Sequence, residues 1–369
     1  MKITGIILAG GNSDSMGALT RKRAVAAIPV GGGYRAIDFA LSSMVNSGMS
    51  RVEVITQYSS RSLNYHLNSG SWWGFGRKHG GLFVSNPTIT ADSSEWYRGT
   101  ADSLFQNFNY LKESHEPYVA IAGGDGIYQL DYEKVLDFHE KKGGDVTVVC
   151  KELPAGSDTS RFGVVKVDGE GRLTGFDEKT GSLAGSTVSC GIYLMRRRLL
   201  MSLLQEAAEQ EKYNLVTDIL MPLVAEGRAY AYMHEGYWNS ISAKEPYYAC
   251  NMDFLKPAVR REFGNPDFPL LTKVDDVPPA KYMPEADVKD ALVAGGAVLS
   301  GEVKHSVVFT GASVGEGSSV TDSLLLPDVE VGRNCVIRYC IIDSRVKIPD
   351  GRSFIGEPDN IKIVTKADI

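Results

Sequence analysis

The feature that most limits how this chain can fold lies near its carboxyl end, where small aliphatic residues recur every six positions. Val308, Val314, Val320 and Leu326 are six apart; Val331 and Ile337 restart the count, and so do Ile342, Ile348 and Phe354. Glycines follow Val314, Val331 and Ile355. A six-residue repeat of an aliphatic residue with a following glycine is the pattern of a hexapeptide β-helix. An ordinary β-sandwich with accidental spacing is the competing reading, and the persistence of the period across most of the segment favours the β-helix. The exposed ends of a short β-helix invite stacking, which predicts an oligomer.

The first two-thirds of the chain read differently. Apolar, β-branched runs predict strands at 3–9, 52–56, 118–122, 146–150, 163–167 and 190–195. Between the first two, Ile37, Leu41, Met44 and Val45 fall at helical spacing, and Gly48 supplies a stop. Alternating strands and helices predict a mostly parallel sheet covered on both faces, with ligands at the carboxyl ends of its strands. Gly10, Gly11 and Asp125 fall at such ends. From about Lys256 to Pro284, six prolines break any long helix, which predicts a packed linker. The expected divisions are 1–252 for the α/β domain, 253–290 for the linker and 291–369 for the β-helix.

Composition removes several function classes. With 369 residues and a net charge of −6, general binding to nucleic acid or an anionic membrane is not expected. No apolar stretch approaches the roughly 20 residues that span a bilayer. The start, MKITGIILAGG, lacks the basic region and cleavage site of a signal peptide and reads as a first strand. The five cysteines are odd in number and show no zinc-like spacing with histidine, so reduced thiols in the cytoplasm are expected.

The amino-terminal loop sets the chemical question. Glycines at a strand end let backbone N–H groups approach phosphates. Yet Asn12 to Leu19 contains no Lys or Arg, whereas a loop that activates a triphosphate should carry cations.

Four segments together resemble the ADP-glucose pyrophosphorylase (glucose-1-phosphate adenylyltransferase) family of bacterial glycogen synthesis: LAGG…LTRKRA, GGGYRAIDFALSSMVNSG at 31–48, WYRGTAD at 96–102, and the hexapeptide tail. VITQYSSRSLNYHL at 54–67 fits the same family. The resemblance spans essentially the whole chain. It implies a Rossmann-like, GT-A-like nucleotidyltransferase domain with a mixed sheet, followed by a left-handed parallel β-helix. It also implies in-line attack of a glucose 1-phosphate oxygen on the α-phosphorus of ATP, with catalysis by positioning and by charge stabilisation from cations and Mg²⁺.

Matched to the family's motifs, the sugar side is largely intact. FDEKT keeps Glu178 and Lys179 for sugar and phosphate, with Thr180 in place of the family proline. Ser189 and Gly191 in SCGIY and Asp218 in TDIL match sugar-contacting positions, and Tyr97, Arg98 and Gly99 match a loop near the substrates. Gln57 and Trp96 match positions that relay activation, with packing as an equal alternative. The ATP side is depleted. Asn12, Ser13 and Ser15 stand where the family has Arg, Gly and Arg. Val25 stands at a lysine, Ala26 at a proline and Gly33 at another lysine, and Asp14 adds a negative charge. Of two Mg²⁺-binding aspartates, Asp125 in GGDGIY remains, and Ser240 occupies the other position. A neutral hydroxyl is a poor substitute for a hard carboxylate ligand.

Losses that cluster on ATP and metal while sparing the sugar resemble the GlgD-type companion subunit, which pairs with a GlgC-type catalytic subunit in a heterotetramer. Two alternatives stay open. One is a self-sufficient homo-oligomeric adenylyltransferase, with Arg21, Lys22 and Arg23 compensating. The other is a binding protein that senses glucose 1-phosphate or ADP-glucose, with ATP as a further candidate ligand.

Overall fold

The computed structural model describes residues 2–11, 14–76, 80–88, 96–179 and 185–369. The chain divides into two compact units, one made of Met1–Gly11, Phe39–Ser60 and Leu67–Trp238, the other of Asn12–Asp38, Arg61–His66 and Asn239–Ile369.

The first unit is built on a nine-stranded sheet. Its strands are β1 (Ile3–Ala9), β2 (Arg51–Thr56), β3 (Gly81–Ser85), β4 (Tyr118–Gly123), β5 (Val146–Glu152), β6 (Gly163–Val167), β7 (Leu173–Glu178), β8 (Thr187–Arg196) and β9 (Ala229–Met233). The main path runs β7-β6-β8-β4-β1-β2-β3, and β5 pairs with β8 and β9. The half around β1 is parallel: Ile7 lies opposite Val54 on one side and Ala122 on the other. The sheet is mixed rather than mostly parallel, because β8 runs antiparallel to β4, β5 and β6, and β7 returns as a hairpin on β6.

One face of this sheet buries Ile6, Ile55, Val119, Ile121, Val148 and Met195 against the helical residues Leu104, Phe108, Leu111, Leu200 and Leu204. These helical residues belong to Thr100–Gln106, Phe108–Glu113 and Arg197–Glu209. Elsewhere in the core, a side chain on Gly5 would place its Cβ 2.6 Å from Met44 Sδ, so glycine is what allows that approach. The helix Tyr132–Lys142 carries its own end signals. Asp131 accepts from Glu133 N–H at the start, and Gly143 takes a left-handed conformation at the stop.

The second unit contains the β-helix. Glu302 pairs in parallel with Ser319, Ser319 with Val336 and Val336 with Ser353, each a step of 17 residues. Inward columns follow the same step: Val314, Val331 and Ile348 form one, and Val320, Ile337 and Phe354 another, all buried. The third column places Leu325 on Ile342, so Leu326 lies one residue past the stacking position. One side of each coil is thus a residue short of the six-residue repeat, which is why the count restarts at Val331 and Ile342. The corners are stacked too. His305, Asp322 and Tyr339 share a positive φ, as do Gly311, Asp328 and Arg345. Buried hydroxyls satisfy backbone donors between coils: Ser306 Oγ accepts from Ser323 N–H and Ser323 Oγ from Cys340 N–H, both at 3.1 Å.

The segment expected as a linker holds the helix Pro257–Phe263 and the strands Lys281–Tyr282 and Asp287–Val293. Proline is tolerated at a helix start, where its missing N–H would be unpaired anyway. Asp38 ties separate stretches of this unit together. Its buried carboxylate accepts from His66 Nε2 at 2.6 Å, Thr272 Oγ1 at 2.6 Å and Arg35 N–H at 2.8 Å.

Candidate functional site at the carboxyl ends of the central strands

Three parallel strands end together in the first unit. Gly10 follows β1, and a Cβ there would lie 3.2 Å from Gln57 Cβ and 3.3 Å from Gln57 N. Gly124 N–H donates to Leu8 O at 3.0 Å, which sets the turn carrying Asp125 against the end of β1. A Cβ on Gly123 would meet Asp125 Oδ1 at 2.8 Å, so the glycines of GGDG make room for that carboxylate. Among the described residues, none lies within 4 Å of where a Cβ on Gly11 would be. The structure therefore gathers Gly10, Gly11, Gln57 and Asp125.

Gln57 also grips the next segment. Its Oε1 accepts from Tyr97 N–H at 2.7 Å and its Nε2 donates to Tyr97 O at 3.4 Å. Tyr97 OH accepts from Asn107 Nδ2 at 2.9 Å. Trp96 is mostly exposed and lies flat on Tyr58, with ring centroids 5.6 Å apart.

The sugar-side candidates meet on the other wing. Glu178 ends β7 opposite Gly163, where a Cβ would come within 2.8 Å of Glu178 Oε2. Lys179 turns away in a left-handed conformation, φ 61°, that a non-glycine residue seldom adopts. Its ammonium lies 2.9 Å from Glu178 Oε1. Ser189 and Gly191 sit where β8 breaks register with β5. Gly191, at φ 70°, donates its N–H to Ser189 Oγ at 3.2 Å. The bulge re-aims these residues out of the regular ladder.

Tyr193, in the same SCGIY string, belongs with this group although sequence reasoning passed over it. It is buried; its hydroxyl accepts from Ser189 Oγ at 3.5 Å, and burial, reinforced by the charge of Glu178, pushes it well above the usual tyrosine range. Its position two residues past the bulge glycine was the available signal. Asp218 is placed in another context. It lies in the π-helical turn Val216–Leu220, where its Oδ2 accepts from Tyr213 N–H and Asn214 N–H at 3.0 and 2.8 Å. π-helical turns recur at functional sites.

The depleted positions belong to the second unit. Asn12 and Ser13 lie outside the described residues, as does Thr180. Ser15 is exposed in Asp14–Thr20, which kinks at Gly17. Val25 and Ala26 are buried in the run Ala24–Ile28. Arg23 is committed elsewhere: its Nη2 lies 2.6 Å from Asp343 Oδ1 and its Nη1 donates to Ser344 Oγ at 3.2 Å. Ser240 Oγ donates to Ser242 Oγ at 3.4 Å. Among the described residues, no three His, Cys, Asp or Glu side chains are gathered as a metal cage requires.

Residues 4–256 match the nucleotidyl transferase family model, and residues 278–361 match the GlmU-like, C-terminal hexapeptide model. A glucose-1-phosphate adenylyltransferase of Bacillus thuringiensis (strain Al Hakam) is 36% identical over 353 residues, 95% of this chain and 94% of that one. Those of Bacillus anthracis and Bacillus mycoides (strain KBAB4) match with the same identity and coverage. This chain belongs to the glucose-1-phosphate adenylyltransferase family. The mixed sheet followed by parallel hexapeptide coils is the architecture that membership implies. No helix among the described residues is long and apolar enough to cross a membrane.

Proposed function

We propose that this glucose-1-phosphate adenylyltransferase homologue is a GlgD-type subunit of glycogen biosynthesis. It is catalytically weak alone and regulates or activates a GlgC-type catalytic partner. The observation that carries the reading is an asymmetry of charge. Glu178 and Lys179 are retained and paired with each other, while Val25 is buried among apolar residues and Arg23 is spent on Asp343. Each lost electrostatic contact to a transition state typically costs about 10²–10³ in rate, and such losses do not simply multiply. Two of them would leave the isolated chain nearly inactive. Glucose 1-phosphate or ADP-glucose is the ligand its sugar side fits, Mg²⁺ is held poorly, and the working assembly is a heterotetramer.

The test is turnover of the purified chain with ATP, glucose 1-phosphate and Mg²⁺, alone and mixed with a catalytic homologue. Turnover of the isolated chain equal to that of ordinary family enzymes would sink the proposal. A joint Ser15→Arg, Val25→Lys and Ser240→Asp change should raise activity by about 10² or more over background. The self-sufficient reading draws on the retained Asp125 and Lys179, and it requires Asp125→Asn to abolish turnover of the homo-oligomer.

A further inference from the structure

The Tyr97–Asp102 loop and the 213–218 turn are far apart in sequence, yet they share one set of hydrogen bonds centred on Tyr213. The helix Thr100–Gln106 begins at Gly99 without a side-chain cap. Its first N–H groups therefore need an acceptor from elsewhere. Tyr213 O provides it, accepting from Ala101 N–H at 2.7 Å and Asp102 N–H at 3.3 Å. The approach depends on Gly99, because a Cβ there would lie 2.3 Å from Tyr213 O. Thr100 Oγ1 accepts in return from Leu215 N–H at 2.8 Å.

The side chains repeat the connection. The Arg98 guanidinium lies 4.0 Å from the centre of the Tyr213 ring, and its Nη1 donates to Tyr213 OH at 2.8 Å. Arg98 N–H also donates to the buried Asp102 carboxylate at 2.7 Å. Beyond Tyr213, Asp218 holds the turn through Tyr213 N–H and Asn214 N–H, and Asn214 Oδ1 holds Val216 and Thr217 N–H at 2.8 and 3.2 Å. Beyond Arg98, Tyr97 is held by Gln57 at the end of β2.

We propose that Tyr213 is a positioning residue that fastens the Tyr97–Asp102 loop to the turn carrying Asp218, so that the end of β2 and this turn move as one body. Its carbonyl caps a helix, its ring seats a guanidinium, and its N–H anchors the turn's own carboxylate. The consequence for substrate rests on the sugar-phosphate reading above: a loosened strut displaces the loop and turn that the family motifs place beside the sugar phosphate.

Amide hydrogen exchange on the full chain tests the strut without any ligand. Gly99→Ala, on the loop side, should speed exchange of the Val216 and Thr217 amides about tenfold, and Asp218→Ala, on the turn side, should do the same to Ala101 and Asp102. Tyr213→Phe, which keeps the ring and the carbonyl, should stay within about twofold at all four amides. Acceleration confined to the side that carries the substitution would overturn the proposal. Calorimetry with glucose 1-phosphate then tests the consequence, with Gly99→Ala and Tyr213→Ala expected to bind about tenfold more weakly. Unchanged affinity in the loosened variants overturns the link to substrate. If the unsubstituted chain takes up no glucose 1-phosphate, the sugar reading fails, and the exchange data still decide the strut.

Discussion

The Glu178–Lys179 hairpin end and the Ala24–Ile28 run treat charge in opposite ways. At the hairpin, a carboxylate and an ammonium sit 2.9 Å apart, and the lysine is held in a strained left-handed conformation. In the run, five consecutive residues are buried and apolar. A charge that merely fell away would leave a polar or solvated gap. Here the run is aliphatic core, and a cation placed in it would have to be desolvated. Charge is present and paired at the hairpin end, and absent from the buried run.

Val25→Lys should break this comparison most visibly. An ammonium forced into the Ala24–Ile28 run should cost about 2–4 kcal/mol of stability, read as a lower denaturant midpoint. A Val25→Lys chain as stable as its parent would mean that the run still has room for a cation. The cost also bears on the three-residue restoration, whose gain in turnover must be measured on chains that remain folded.

Glu53 is a third case, a charge-bearing group buried in the sheet of the first unit. Its Oε1 accepts from Ser85 Oγ at 2.7 Å, and its Oε2 is buried with no hydrogen-bond partner among the described residues. Burial pushes the carboxyl up from 4.5 to about 7, against the smaller opposing effects of the Ser85 hydrogen bond and Arg51. The folded chain then holds this proton where the unfolded chain has released it. The associated stability is full below pH 4.5 and is lost as pH rises to about 7. Glu53→Gln should remove that loss, making the variant more stable than the parent at pH 8 by up to about 3 kcal/mol, with little difference at pH 4. Equal urea midpoints at pH 8 would show that water or rearrangement already accommodates the charge.

Lys179→Met probes the retained side. Removing one charged hydrogen-bond donor should weaken glucose 1-phosphate binding by about 10–100-fold and leave stability nearly unchanged, since the ammonium is largely exposed. A loss of stability without a loss of affinity would reverse the comparison and make the pair structural.

The sequence carried much of this, but unevenly. Strands β1, β2, β4 and β6 were legible because their apolar runs are continuous or cleanly bounded. β3 was not, because its Gly81–Ser85 stretch offers only a short, weakly alternating signal. The coil repeat was legible as a period of six, whereas the true step of 17 is a property of stacking between coils and emerges from pairings such as Glu302 with Ser319 and Leu325 with Ile342. Glu178, Lys179, Ser189 and Gly191 were candidates by motif, and the hairpin end and the bulge on which they sit are what the structure adds. Tyr213 left no trace, because its principal contact is made by a backbone carbonyl, which every residue type possesses. The burial of Val25 was equally hidden: a substitution can be seen in a sequence, but its packing cannot.

His139 supplies the smallest effect and the sharpest sign. Its Nδ1 is 2.9 Å from Thr147 Oγ1, and its Nε2 is buried without a partner among the described residues. Burial, with Arg196 nearby, lowers its pKa below the ordinary 6.5. The unfolded chain therefore binds this proton first as pH falls, so the stability from His139 is present above pH 6.5 and declines below it, opposite in slope to Glu53. In the parent the two slopes partly cancel between pH 5 and 7. In the Glu53→Gln background the cancellation is gone, and stability should fall as pH drops below 6.5. Adding His139→Gln, which keeps a side chain able to bond Thr147, should flatten that fall. A decline that survives the second substitution would assign the acid sensitivity to a group other than His139.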